Sequence, residues 1–390
     1  ITGANGSGKS TILRILAKHF QWDCKFLAVP YYDELQEKFL FKNHEENTFL
    51  NKEKHKIGFI QYSDGMTANL LIENEPSKID YDVLIENKNN KIKGLFIHSH
   101  RAANNYCQVE KIPTKIIDAN ESYKRHLAAY KKHIENPSFN ASPTVEMKES
   151  LISMAALGIG NEYVKKSTRS EKTFLLFIDT LRIVLPVDIG FENIRIEIPD
   201  VVLETKSGDF ILDSTSGGIM SIIDIAWQIL LFSQENESFT VIIDEPENHL
   251  HPAMQRTLLN NLSEAFPKIQ FIVVTHSPFM VSSMKESNVY ALKYEYISTP
   301  ETGPKKVISF KLDLQQKAAT ANKILRDVLG VSITIPQWAD DELQRICTKF
   351  TRENITTETL KNLRSELESS GLSEFYPEAI ANVMGRKYHD

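Results

Sequence analysis

The sequence has few cysteines and no long apolar run. Its 390 residues include three cysteines, Cys24, Cys107 and Cys347, which lie too far apart to match a metal-binding spacing. We therefore expect reduced thiols and a cytoplasmic location. No apolar run approaches the roughly 18 residues that a membrane-spanning helix needs. The sequence thus predicts a protein that has no membrane partner.

The sequence also has no excess of positive charge. The formal net charge is −6, whereas a domain that binds duplex nucleic acid is usually strongly basic. Basic residues do cluster at 124–126, at 131–133 and at 165–172. We interpret these clusters as solvated helix faces. The alternative is a local contact with nucleic-acid phosphates, which would be salt-sensitive and independent of base sequence.

The first residues contain a phosphate-binding loop. Residues 3–11 read GANGSGKST, and an amphipathic helix is predicted to follow from about Ser10 to His19. Glycines let backbone N–H groups approach phosphates, and the helix N-terminus favours an anion. A strand normally precedes such a loop, so we expect the sequence to be trimmed before residue 1. The residues predicted to contact nucleotide are Asn5, Gly6, Gly8, Lys9, Ser10 and Thr11, and the Ser10 hydroxyl is also a predicted Mg²⁺ ligand.

Two later strands end in residues that could act on a bound nucleotide. A β-branched run at 241–243, typical of a buried strand, ends in Asp244 and Glu245. We expect Asp244 to hold Mg²⁺ and Glu245 to polarise the attacking water. A second apolar strand, in QFIVVTHSP, ends at His276, which we expect to contact the γ-phosphate. An ordinary acidic strand end and a structural histidine are the alternatives.

A Ser-Gly-Gly sequence completes a recognisable motif order. Ser216, Gly217 and Gly218 begin an apolar helix, whose N-terminus is a possible anion site, although a plain helix cap explains them too. The order of P-loop, Ser-Gly-Gly helix, VIIDE strand and VVTH strand resembles that of ABC-type ATPases. The resemblance implies that Ser216, Gly217 and Gly218 of one subunit cover ATP held by another. It therefore implies ATP and Mg²⁺ as cofactors and a homodimer or higher homo-oligomer. Ile219 departs from the family, which has a polar residue there.

The loop after the VIIDE strand indicates which group of ABC-type ATPases the sequence resembles most. Residues 244–252 read DEPENHLHP, which resembles RecF/Rad50-like and OLD-type ATPases, often grouped as AAA-21 or AAA-15 domains, rather than transporters. Glu247, His249 and His251 could form a metal cluster beside Asp244. We favour the other reading, in which this loop crosses a dimer interface.

The middle and the tail add two further motifs. A predicted strand in GLFIHSHR runs toward Arg101, which we expect to contact the γ-phosphate or a partner. Gln61 is an alternative candidate for this contact in place of Arg101. Its sequence surroundings, however, are more typical of one arm of a β-hairpin. Together with DEPENHLHP and the tail ILRDVLGV…IPQW in 321–338, this stretch resembles the PtuA-like family, the ATPases of Septu and of certain retron anti-phage systems.

The PtuA-like resemblance implies an ATPase that regulates a partner nuclease and has no nuclease activity of its own. PtuA-like ATPases work with a separate HNH endonuclease, PtuB, so an HNH endonuclease subunit is the expected partner. In a retron system, a reverse transcriptase and its RNA–DNA product would join the complex. Two alternatives stay open at this point: a RecF/Rad50-like DNA-repair ATPase, and an ATP-bound scaffold with little hydrolysis.

These observations predict an α/β fold with an ABC-ATPase-like P-loop core. Residues 1–120 would form the N-terminal part of the core with an antiparallel β-subdomain, and 121–189 a helical insertion. Residues 190–312 would complete the core and carry the Ser-Gly-Gly, VIIDE and VVTH motifs. A hairpin is expected at 200–213. Residues 313–390 would form a helical C-terminal tail that docks a partner.

Overall fold

The chain divides into two compact units, Ile1–Tyr290 and Ala291–Asp390. A computed structural model describes every residue except those at positions 21, 23, 35–37, 43–53, 74–77, 100–105, 112, 114, 136–141, 161, 297–304, 331–335, 351–355 and 385–390.

The first unit mixes helices and strands. Its described strands are β1 (Thr2–Gly3), β2 (Phe26–Leu27), β3 (Val29–Asp33), β4 (Lys38–Lys42), β5 (Lys54–Gln61), β6 (Thr67–Glu73), β7 (Asp80–Tyr81), β8 (Val83–Glu86), β9 (Gly94–Ile97), β10 (Phe191–Glu197), β11 (Asp200–Thr205), β12 (Phe210–Ile211), β13 (Thr240–Asp244) and β14 (Gln270–Val274). Its described helices are α1 (Lys9–Ala17), α2 (Ala119–Glu135), α3 (Pro143–Ser153), α4 (Thr168–Val184), α5 (Gly217–Ser233), α6 (Pro252–Ala265) and α7 (Pro278–Ser282).

A parallel sheet with the order β14-β13-β9 lies at the centre of this unit. Alternate residues of β13 pack to opposite sides: Val241 and Ile243 into the main core, Ile242 against Leu13 of α1. Both faces of the strand are therefore covered, which explains its unbroken β-branched run. The backbone N–H of Thr275 donates to Ile1 O at 3.0 Å, so the residues that lead into the P-loop lie beside the end of β14.

Helices α2, α3 and α4 fill the predicted helical insertion; α2 and α4 pack against α5, and α3 packs against α2. Helix α5 is apolar on all sides because nearly all of it is buried, including the whole of Trp227. The Trp227 ring meets Phe177 of α4 edge-on, with centroids 4.7 Å apart. The main core of the unit therefore forms where the central sheet and these helices meet.

The first unit also contains two three-stranded antiparallel sheets. In one, with the order β5-β6-β8, Gln61 pairs with Thr67 at the end of a hairpin. Gln61 is thus a hairpin residue, as the sequence favoured. In the other, with the order β10-β11-β12, β11 pairs with β12 and confirms the hairpin predicted at 200–213. The predicted α/β fold class, with an antiparallel β-subdomain and helical regions, is therefore confirmed.

Acidic neighbours pair with some of the residues in the basic clusters. Ion pairs join Arg125 to Glu121, Lys166 to Glu171 and Arg169 to Glu235. His126 is buried, with its Nε2 atom 2.8 Å from Asp224 Oδ1, and so it cannot contact a nucleic acid. These pairs fit the interpretation of the clusters as ordinary helix faces.

The second unit begins with two neighbouring strands, which are followed by helices. The strands are β15 (Tyr290–Tyr296) and β16 (Lys305–Lys311), and the described helices are α8 (Leu314–Lys317), α9 (Ala321–Asp327), α10 (Gln337–Cys347), α11 (Thr357–Ser369) and α12 (Tyr376–Val383). The Lys293 ammonium of β15 donates to the Asp327 carbonyl of α9, so the strands and the helical tail share one unit. The boundary predicted between residues 312 and 313 falls inside this unit. Trp338, in α10 of the tail, is exposed.

Leucines on α10 and α11 form the core of the helical tail, and partly buried Phe375 and Tyr376 pack against that core. Among the described residues, no helix combines the length and apolarity needed to cross a membrane.

A buried lysine joins three segments of the chain, one of which lies just before the Ser-Gly-Gly helix. Lys148 of α3 is fully buried, and its Nζ atom donates to Asp213 Oδ2 at 2.6 Å, Asp200 Oδ1 at 2.7 Å and Cys107 O at 2.9 Å. Burial alone would lower the pKa of Lys148, but the two carboxylates outweigh it and raise that pKa. The lysine therefore stays charged and holds the turn that contains Asp213.

Replacing Lys148 with methionine should destabilise the fold strongly. Lys148→Met leaves the Asp213 carboxylate buried without its cation, which we expect to lower the free energy of unfolding by about 3–5 kcal/mol. Urea unfolding followed by circular dichroism measures this change. Lys124→Met, an exposed position on α2, is the matched control, and we expect it to change the free energy by less than about 0.5 kcal/mol. A loss below about 1 kcal/mol in Lys148→Met would contradict a buried ion pair at this position.

Candidate nucleotide site

The loop before α1 has the backbone shape of a phosphate cradle. Gly6 and Gly8 have φ angles of 77° and 86°, in a region that residues with a side chain rarely adopt. Gly8 caps α1, so the free N–H groups of the first helical turn follow the loop directly. Asn5 lies in the turn before this cap, and Thr11 is exposed in the first turn of the helix.

Lys9 folds back onto the loop. Its side chain is buried, and Nζ donates to Gly3 O at 3.0 Å and to Ala4 O at 2.8 Å. Burial lowers the pKa of Lys9, while Glu245 and Asp244 act in the opposite direction. The loop therefore carries an ammonium group whose two present acceptors are neutral carbonyl oxygens.

The two predicted Mg²⁺ ligands lie side by side. The Ser10 hydroxyl donates to Asp244 Oδ1 at 3.2 Å, across 234 residues of sequence. Burial raises the pKa of Asp244, and the Ser10 hydrogen bond partly offsets this. A hydroxyl and a carboxylate oxygen are ligands that suit Mg²⁺. The donor set therefore fits this ion.

Glu245 and His276 face each other beside this pair. Glu245 has a φ of 47°, unusual for a residue with a side chain, and its carboxylate is about one-third exposed. Its Oε1 atom lies 3.6 Å from His276 Nε2. Burial lowers the pKa of His276, and the charge of Lys9 acts in the same direction. The imidazole is therefore uncharged at neutral pH.

Glu247, which the sequence suggested only as a possible metal ligand or as part of an interface loop, anchors the segment that follows β14. Its Oε1 atom accepts hydrogen bonds from Thr275 Oγ1 at 2.7 Å, His276 N at 2.6 Å and Ser277 N at 3.1 Å. Burial raises the pKa of Glu247, partly offset by these donors. The carboxylate fixes the backbone that carries His276. The one sequence signal for this role is the position of Glu247 in the DEPE motif, one residue after the proline.

The two histidines of the same loop have structural positions. His249, with a φ of 69°, packs against Gly217, and His251 Nδ1 accepts from Ala253 N at the start of α6. Across the described residues, no group of three His, Cys, Asp or Glu side chains could hold a metal ion. The structure therefore does not favour the metal cluster considered from the sequence.

The Ser-Gly-Gly motif lies partly on the surface and partly in the core. Ser216 caps α5, accepting from Ile219 N, and Ser216 and Gly217 are exposed. Gly218 is buried, and a Cβ atom there would lie only 2.7 Å from His249 O, so a side chain does not fit at this position. Ile219 is buried in the main core, which accounts for an apolar residue at this position. Within the described parts of the chain, no hydrogen bond joins Ser216 to the P-loop.

The structure thus brings five predicted residues to one edge of the parallel sheet, namely Lys9, Ser10, Asp244, Glu245 and His276. Arg101 lies outside the described residues. Strand β9, which precedes it, ends at Ile97, and the Ser99 carbonyl beyond it accepts a hydrogen bond from Asn248 at 3.2 Å.

The lowered pKa of His276 can be measured directly. Because burial and Lys9 disfavour the imidazolium, His276 should stay neutral as the pH falls past 6.5 and should protonate only below it. A pH titration of ring-labelled histidine by NMR measures the midpoint, with His276→Asn to assign the signal among 11 histidines. A midpoint above 6.5 would show instead that the ion pair with Glu245 dominates.

Comparison with known proteins gives one family match and several relatives. Residues 205–282 match the family described as "AAA domain, putative AbiEii toxin, Type IV TA system". A 184-residue stretch is 28% identical to Septu protein PtuA of Bacillus mycoides, covering 46% of this chain and 24% of that protein. A 180-residue stretch is 26% identical to Septu protein PtuA of Bacillus thuringiensis, covering 43% of this chain and 44% of that protein.

A retron protein is similar over a shorter stretch. The retron Ec83 probable ATPase of Escherichia coli is 29% identical over 135 residues, 32% of this chain and 24% of that protein. The chain therefore spans less than half the length of each of these relatives. The resemblance inferred from the motifs is confirmed: the chain is similar to the PtuA and retron ATPases over part of its length and carries an AAA-21 segment.

Proposed function

We propose that this chain is an ABC-type ATPase of a bacterial anti-phage defence complex. It binds ATP with Mg²⁺, hydrolyses it at an interface between two copies of the chain, and regulates a partner HNH nuclease. The observation that carries the proposal is the meeting of Lys9, Ser10, Asp244, Glu245 and His276 at one sheet edge. The similarity to Septu PtuA and retron ATPases supports the biological setting.

The contacts of the site support a division of roles. Lys9 would exchange its two carbonyl acceptors for phosphate oxygens, which is favourable because phosphate carries the charge that the carbonyl groups lack. Ser10 and Asp244 would hold Mg²⁺, which supplies charge neutralisation at the phosphates. Glu245 would accept a proton from the attacking water.

His276 would donate a hydrogen bond from its neutral ring to a γ-phosphate oxygen. Its lowered pKa favours this form, and Glu247 fixes the backbone on which the ring stands.

The exposed half of the Ser-Gly-Gly motif supports a composite site. Ser216 and Gly217 stand exposed at the N-terminus of a helix 17 residues long. Free N–H groups at such a terminus attract phosphate oxygens. A second copy of the chain would therefore present Ser216 and Gly217 to the nucleotide held by the first. By this account an isolated chain binds ATP, but hydrolyses it slowly.

The proposed partners follow from the resemblance of the motifs to the PtuA-like family. In this role the chain cuts no nucleic acid, and the HNH endonuclease subunit is held inactive or released according to the nucleotide state. If the system is a retron, a reverse transcriptase and its RNA–DNA product would join the complex.

Replacement of Glu245 by glutamine should trap the closed dimer. Glu245→Gln removes the proton acceptor but keeps the Mg²⁺ and phosphate contacts, so ATP binds and turnover falls by about 100-fold or more. Light scattering after size exclusion should show the mass doubling only with ATP and Mg²⁺. Lys9→Ala is the control, because it removes the phosphate contact and should give no doubling. A Glu245→Gln protein that stays monomeric with ATP at micromolar concentration would contradict the composite site.

Substitutions at the two glycines of the motif should have different effects, on ATP turnover at Gly217 and on stability at Gly218. At Gly217 a Cβ atom would lie 3.7 Å from His249 Cβ, an ordinary contact, so Gly217→Glu should fold normally. Its carboxylate would repel phosphate, and we expect at least about a 10-fold loss of turnover with ATP binding retained. Gly218→Ala instead forces the contact with His249 O and should lower the free energy of unfolding by about 1–3 kcal/mol. Normal turnover in Gly217→Glu would contradict a role for this residue at the nucleotide.

A further inference from the structure

Asn248 makes two hydrogen bonds that the functions proposed so far do not use. Its Nδ2 atom donates to Glu245 Oε2 at 3.2 Å and to Ser99 O at 3.2 Å. Its backbone N–H also donates to Glu245 O at 3.2 Å and closes the turn after β13. The side chain therefore joins the carboxylate of Glu245 to the segment that follows β9, while the backbone alone maintains the turn.

The chemistry of the two acceptors explains why an amide stands here. A carboxylate oxygen and a carbonyl oxygen can only accept, so the residue between them must donate twice from one atom. The NH₂ group of asparagine does this, whereas aspartate offers no donor at neutral pH and serine offers one. Asn248 itself is half-buried. Because its amide donates to both oxygens, Glu245 Oε2 and Ser99 O each have a hydrogen-bond donor within the protein.

These bonds make the two oxygens of Glu245 unequal. Oε2 is held by Asn248, and Oε1 lies 3.6 Å from His276 Nε2. The backbone of Glu245, with a φ of 47°, sets the direction of the side chain, and Asn248 sets the rotation of its carboxylate. Oε1 is therefore the oxygen left to accept from a water molecule next to His276.

We propose that Asn248 is a positioning residue for hydrolysis, which holds Glu245 so that Oε1 takes the proton of the attacking water. This inference rests on the proposed ATPase function. Because the second hydrogen bond ends on Ser99 O, the orientation of the Glu245 carboxylate also depends on the position of the segment after β9.

The test compares kcat in two variants, Asn248→Ala and Asn248→Asp. A positioning role and a space-filling role predict opposite orders for the two losses. Asn248→Ala removes both donors, and we expect kcat for ATP hydrolysis to fall about 10- to 100-fold with KM within about 2-fold. Asn248→Asp preserves shape and volume but turns the donors into acceptors, so we expect a loss at least as large. A residue that only fills space would give the opposite order, with Asn248→Asp close to the wild type.

Two controls make the result interpretable. Asn260→Ala removes a similar bond, from Asn260 Nδ2 to Ser283 O at 2.9 Å, on a helix outside the site, and should leave kcat unchanged. Thermal melting of each variant identifies a loss caused by unfolding. In a Glu245→Ala background, single-turnover rates should not fall further when Asn248→Ala is added, because the group that it positions is gone.

The outcomes separate this inference from the function on which it rests. Hydrolysis by the wild-type protein together with an unchanged kcat in Asn248→Ala would overturn the inference alone. A further loss from Asn248→Ala in the Glu245→Ala background would also overturn it. Absence of hydrolysis in the wild-type protein would overturn the proposed function, and the inference with it.

Discussion

The carboxylate of Glu247 is the contact on which the geometry of the nucleotide site depends. It follows β13 and accepts three hydrogen bonds from the segment that follows β14. The backbone N–H of Glu245 also donates to Val274 O at 2.9 Å, but Glu247 makes the hydrogen bond that holds the backbone of His276 itself. Because both backbone N–H donors to Glu247 lie at or next to His276, a shift of this loop moves the histidine as well.

The same loop extends this coupling in two further directions. Asn248 reaches the segment after β9, and His249 O lies so close to Gly218 that a side chain could not fit there. The end of each parallel strand and the first turn of α5 therefore meet around residues 245–250. A change at the nucleotide can in this way reach the exposed surface at Ser216 and Gly217 through direct contacts. This supports the proposal that the nucleotide state is communicated to a second copy and to a nuclease partner.

The sequence predicted the groups that a local pattern identifies. The P-loop, the strand ending in Asp244 and the strand ending in His276 each follow from the pattern of a few neighbouring residues, as do the hairpins at 200–213 and around Gln61.

It did not predict contacts between segments that are distant in sequence. The bond from Lys148 to Asp213 crosses 65 positions and that from Asn248 to Ser99 crosses 149. Such contacts depend on how helices and strands pack, which residue spacing alone does not determine. Gly218 had two possible explanations from the sequence, and only the structure reveals its close approach to His249 O.

Mixing two impaired variants tests most directly whether the site is completed by a second copy. Lys9→Ala lacks the phosphate contact and Gly217→Glu lacks the covering surface, so each alone should turn over ATP at no more than about a tenth of the wild-type rate. In a mixed dimer, the P-loop of one copy meets the intact motif of the other, and turnover should return to about a quarter of the wild-type rate. A mixture no more active than the sum of the two variants would contradict the composite site.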